Sequence, residues 1–241
     1  MTGRRELSWA LGSIAALFLV ASGLGGLGAL ALGMSRPAAD VAAAWMLQLT
    51  VGALGLAGRR RLRRLGDPGE QPLPARAWLR SLVGSLWFGA VLVAAQAAVN
   101  AAVMQTARLA GWEEAVRRIG LAEQRSLSGL LFASGGVWLA ALVVLLVAVA
   151  PVAEETFFRG YLYRVLRGPG GVAPLPAAAT SAIAFAGLHA YVVHLPALWV
   201  VGVLLALWYE RRGRLSAAMG AHMGANLLTL ALVLSGGMAP A

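Results

Sequence analysis

The chain contains no cysteine, which excludes disulfides, thiolate metal sites and a cysteine nucleophile together. It contains no lysine either: all 20 basic residues are arginine. Charge of both signs is scarce, at 12% of residues where a soluble domain has about a quarter. Histidine occurs three times, at His189, His194 and His222. No internal repeat is visible, so a transporter built from inverted repeats has no support. What is there instead is apolar: 59% of residues are hydrophobic and the mean hydropathy is +0.74. The charges lie mostly between long apolar runs, which is the pattern of an integral membrane protein.

A spanning helix needs about 20 apolar residues. Segments 8–33, 39–58, 80–106, 129–158, 175–191, 193–210 and 214–235 qualify, the fourth continuing as a helix to about Arg167. The first follows Arg4 and Arg5 and is longer than the apolar region of a signal peptide, so it reads as a retained helix. The expected fold is all-α, a polytopic helical bundle with about seven transmembrane helices. With the N-terminus inside, 15 arginines fall in inner loops and 5 in outer loops. That bias places the N-terminus in the cytoplasm and the C-terminus outside; the expected location is the plasma (inner) membrane. It also accounts for the net charge of +10 by membrane lipids as partners, with no nucleic acid. The loop from Arg59 to Arg80, with Asp67-Pro68-Gly69 and Pro72-Leu73-Pro74, reads as an irregular basic connection able to lie on anionic headgroups. The stretch from Thr106 to Ser128, with Trp112, Glu113, Glu114, Arg117 and Arg118, reads as amphipathic and interfacial at the outer side. His194, beside Leu195-Pro196, reads as interfacial too.

Three polar clusters interrupt the apolar runs, and ionisable groups there are costly and usually functional. Glu154 and Glu155 are adjacent, so on a helix they point about 100° apart. Glu155 faces Arg159 at i,i+4 and can pair with it, leaving Glu154 to point elsewhere as a general base. Pro151, just upstream, frees a backbone carbonyl and bends the helix. Phe185 and His189 share a face, as do His222 and Asn226. The small residues around the latter pair, Gly220, Ala221, Gly224 and Ala225, let neighbouring helices come close. Glutamate, two histidines and an asparagine converging in a bundle can activate water in two ways. Glu154, His189 and His222 can bind a divalent metal such as zinc with one position open. Alternatively, Glu154 and His189 deprotonate water directly while His222 and Asn226 stabilise the oxyanion. Thr156 is the one hydroxyl in these clusters, and it has no histidine at a fixed spacing. Residue counts put His189 about 20 Å and His222 about 10 Å from the inner ends of their helices, with Glu154 near the inner end of its own. On these boundaries the three levels disagree.

The motifs Glu154-Glu155-x3-Arg159, Phe185-x3-His189 and His222-x3-Asn226, in that order on separate helices, resemble the CPBP family of CAAX prenyl endopeptidases and bacteriocin-processing (Abi) proteins. The resemblance covers roughly Leu130 to Leu234 and implies an intramembrane protease with a helical-bundle, CAAX-protease-like core in residues 129–241. Residues 1–128 supply N-terminal transmembrane helices and the basic loop. In that family's terms Glu154 and His189 position the water and Glu155 and Arg159 support the site, beside Phe185. His222 and Asn226 stabilise the transition state or bind metal. The implied partner is a membrane-associated peptide or protein substrate, and the family has been read both as zinc-type and as glutamate-type. A non-proteolytic membrane scaffold or regulator keeping the same fold is the alternative.

Overall fold

The computed structural model describes residues 2–19, 30–168 and 170–236. Among them it contains helices and no strands. In chain order these are α1 (Thr2–Leu19), α2 (Arg36–Arg64), α3 (Ala75–Val83), α4 (Phe88–Leu109), α5 (Glu113–Ala133), α6 (Gly136–Arg167), α7 (Pro174–Gly187), α8 (Leu195–Arg212) and α9 (Leu215–Leu234). Proline starts α2, α7 and α8, where its missing N–H costs nothing because the first turn has no acceptor for it. Gly213 ends α8 in the left-handed region at φ 61°, the usual stop for a helix.

By length and apolarity α2, α3 with α4, α6 and α9 can cross a membrane. The expected spans at α7 and α8 are weaker. The first has only 14 residues, and the second closes on Glu210, Arg211 and Arg212. The expected first span lies partly outside the described residues. The boundary expected at 129 also moves: α5 runs on to Ala133, and the chain turns at Ser134-Gly135 before α6 begins.

Two packed regions position the functional residues. In one, Ala10 and Leu17 of α1 and Val51 and Leu62 of α2 bury against Phe157, Phe158, Tyr161 and Phe185. α2 can lie this close to α6 because Gly55 has no side chain; a Cβ there would sit 2.7 Å from Phe157 N. In the other, Tyr163 and Leu166 of α6 meet Ala177 and Ala178 of α7, Ala206 and Tyr209 of α8, and Ala218 and Met219 of α9. The small residues around His222 do the work expected of them: a Cβ on Gly220 would overlap the carbonyl oxygen of Leu82, so α9 packs backbone to backbone on the end of α3.

The disagreement in depth disappears in this architecture. Arg167 ends α6 thirteen residues past Glu154, about 20 Å further along the helix, so α7 starts correspondingly low and His189 comes level with the glutamates. α9 starts higher. A Cβ on Gly160 would lie 3.3 Å from Leu215 Cδ2, which puts the start of α9 about 9 Å below Glu154 and brings His222 up to the same level. Glu154 is therefore well inside the bundle and not at the inner end of its helix.

Candidate active site

α6 departs from regular helix on both sides of the glutamates, with wide π turns at Leu145–Val149 and Phe158–Tyr163. Such turns recur at functional sites because they shift side chains out of the helical register. The first leaves one carbonyl without its backbone donor. In its i→i−5 register Pro151 would be the donor to Leu146 O, and proline has no N–H. Asn226 Nδ2 fills the place, donating to Leu146 O at 2.8 Å. Asn226 thus ties α9 to the bend in α6 with one amide hydrogen and keeps the second for other work.

Glu155 and Arg159 form the expected pair, Nη1 to Oε1 at 2.8 Å, with both side chains 0% exposed. Arg159 Nη2 also donates to Gly202 O of α8 at 2.7 Å, and the guanidinium lies 4.8 Å from the centre of the Phe185 ring. The arginine counted with an inner loop from the sequence is therefore a buried structural cation. A buried charge needs such partners, since an unpaired one costs several kcal/mol, although Arg159 Nε and Glu155 Oε2 find no hydrogen-bond partner among the described residues. Glu155 Oε1 accepts a second hydrogen bond, from His222 Nδ1 at 2.9 Å. Because a carboxylate only accepts, Nδ1 carries a proton, and in the neutral form of the ring Nε2 is the lone-pair nitrogen.

Glu154 does point elsewhere. Its Oε1 accepts from Gln48 Nε2 of α2 at 2.7 Å. Its Oε2 is buried without a hydrogen-bond partner among the described residues and stands 3.8 Å from His222 Nε2. That separation is too long for a direct hydrogen bond and short enough for one water to donate to both atoms. Gln48 was not singled out by any sequence motif; a lone glutamine in an apolar run was the available signal.

His189 follows the last turn of α7, and its Nδ1 donates to Phe185 O at 3.0 Å. It makes no hydrogen bond to Glu154 or His222. The three motifs meet instead on the Phe185 ring, with centroids 5.0 Å from His189 and 5.9 Å from His222. Thr156 is committed elsewhere, its hydroxyl donating to Val152 O at 2.7 Å. A cleft of about 910 Å³ opens at the arginine-rich end between Asp67, Arg164, Arg167, Tyr209 and Arg214, and no motif residue lines it.

Zinc suits the chemistry of the donors. Both imidazoles commit Nδ1, one to a carboxylate and one to a carbonyl, and keep Nε2, as metal-binding histidines do. It does not suit their placement, because among the described residues no three histidine, aspartate or glutamate side chains are gathered to hold an ion. His189 reaches the Glu154 and His222 pair only by way of Phe185.

Residues 136–228 match the family described as Type II CAAX prenyl endopeptidase Rce1-like. The matched segment runs from the start of α6 into α9 and contains all three motifs. Comparison with curated proteins and with solved structures finds no match.

Proposed function

We propose that this chain, CAAX-protease-like over residues 136–228, is an intramembrane endopeptidase that hydrolyses a peptide bond of a membrane-associated substrate with water activated by Glu154. The observation that carries the proposal is the pair of unshared acceptors, Glu154 Oε2 and His222 Nε2, 3.8 Å apart in a buried site. Water held there has both hydrogens engaged and an oxygen lone pair free to attack. Glu154 takes one proton as the oxygen adds to the scissile carbonyl. It then returns that proton to the leaving amine as the tetrahedral intermediate collapses, so the glutamate serves first as base and then as acid. Gln48 fixes the rotation of the Glu154 carboxylate, and Glu155 fixes the tautomer and plane of His222. The second amide hydrogen of Asn226, one turn above His222, is the candidate donor to the oxyanion. His189 stands beside this group against Phe185, with Nε2 as an acceptor for a substrate N–H.

The test is cleavage of a membrane-peptide library by the protein in liposomes, with Glu154→Gln and His222→Ala alongside and zinc measured on the same samples. Loss of cleavage in both variants, with wild type active and all three folded, supports the proposal. Zinc bound by wild type and lost from the variants would replace direct activation by a metal-held water on Glu154, His189 and His222. A folded wild type that cuts nothing would favour a non-proteolytic scaffold.

A further inference from the structure

The loop between α7 and α8 carries His189 and then makes an uncommon backbone turn. Ala190 has φ 54°, a left-handed conformation that costs an L-residue with a Cβ energy and persists where the surroundings hold it. The hold comes from outside the three motifs. Glu123, on the amphipathic helix α5, accepts the backbone N–H of Val192 at 2.6 Å, of Val193 at 3.0 Å and of His194 at 3.2 Å. It also accepts from His194 Nδ1 at 2.6 Å. Four donors on one carboxylate fix three consecutive residues, beginning three positions after His189. Gly120, three residues before Glu123, leaves room for the loop, since a Cβ there would lie 3.3 Å from Val193 Cγ1 and 3.8 Å from His194 Cε1.

We propose that Glu123 is a positioning residue for His189: by clamping Val192, Val193 and His194 onto α5 it enforces the turn at Ala190 and sets His189 against Phe185. This rests on the reading of His189 as a substrate-binding residue given above. His194, which read from the sequence as a merely interfacial residue, is part of the clamp. The amphipathic helix α5 is then an arm of the active site and not only a surface connection.

The chain has three histidines, so a histidine-selective ¹⁵N spectrum of the full protein in lipid nanodiscs resolves each ring. Glu123→Gln keeps the shape of the side chain but puts an amide where N–H groups need an acceptor. It should move the resonances of both His194 and His189 and leave His222 in place. Glu114→Gln, the same charge change on the same helix at an exposed pair with Arg117, should move none. Gly120→Val, which touches no charge, should displace the loop and move His189 again. In the cleavage assay Glu123→Gln and Gly120→Val should lower kcat roughly 10- to 100-fold, the scale for a slightly misplaced group, with the thermal midpoint little changed. A shift confined to His194, or an unchanged kcat in both variants of an active enzyme, overturns the inference. If the wild type cuts nothing, the proposed function fails while the His189 resonance still decides whether Glu123 positions that ring.

Discussion

Replacing Glu155 by glutamine tests the centre of the site, because this one carboxylate serves two partners. Its Oε1 accepts from Arg159 and from His222, and neither Glu155 nor Arg159 has any exposed surface. Glutamine keeps an oxygen that can accept both hydrogen bonds, so what the substitution removes is the charge. Stranding a buried cation by removing its partner costs about 3–5 kcal/mol, and the retained Gly202 carbonyl and Phe185 ring hold the expected loss near the lower end. For a chain of this size about 3 kcal/mol lowers the thermal midpoint by roughly 6–12 °C, readable by a melt in detergent. Activity should fall as well, since a neutral amide oxygen holds the His222 Nδ1–H less strongly than the carboxylate does. The decisive comparison is the double variant Glu155→Gln/Arg159→Met. Removing the stranded cation relieves its burial cost, while the Gly202 carbonyl loses its donor at about 1–3 kcal/mol, so the double variant should regain part of the lost midpoint and none of the activity. An unchanged midpoint in Glu155→Gln, or a double variant less stable than the single one, would refute the ion pair as the support of the site.

Gln48→Leu should lower kcat about 10-fold or more with a small effect on stability, because it frees the Glu154 carboxylate to rotate while keeping α2 apolar; single-turnover cleavage measures it. Asn226→Leu should destabilise by about 1–3 kcal/mol, the cost of leaving the Leu146 carbonyl buried without a donor, and a chemical or thermal melt reads that directly. The clamp on the α7–α8 loop should depend on pH. Burial alone would raise the Glu123 carboxyl, but the bonds from Val192, His194 and Val193 outweigh it and hold the group below its ordinary value of 4.5. A depressed carboxylate contributes stability that is fully present above its unfolded pKa and lost as pH falls through the folded one. Protection from amide exchange, relative to the free peptide, at Val192, Val193 and His194, which bond Glu123, should therefore hold from pH 7 to about pH 5 and fall only below about 4.5. Loss of protection already between pH 7 and 5 would contradict the sign.

What could be read from the sequence was what is local or compositional. The all-helical membrane class follows from apolar runs that can satisfy their backbone only by helix formation. The Glu155–Arg159 pair is a consequence of 3.6 residues per turn, and the orphaned carbonyl near Pro151 follows from a missing N–H. The resemblance of the three motifs to CAAX proteases rests on the same short spacings, and the match over residues 136–228 bears it out. The contacts that make a site of them are of another kind. His222 reaches Glu155 across 67 positions, Asn226 reaches Leu146 across 80, and Gln48 reaches Glu154 across 106. No periodicity reports pairs at such separations; they follow from which helices lie side by side and at what height. The helix ends show the same division. The thirteen residues of α6 beyond Glu154 set the level of His189, and only the packing of Leu215 beside Gly160 sets that of His222. The sequence by itself determined a helical membrane chain bearing glutamate, histidine and arginine at helical spacings, because those properties are local. Only the tertiary structure decided that His222 and not His189 faces Glu154, that Gln48 of α2 bonds Glu154 and that Glu123 of α5 bonds the loop after His189, because side chains on different helices meet only when those helices pack.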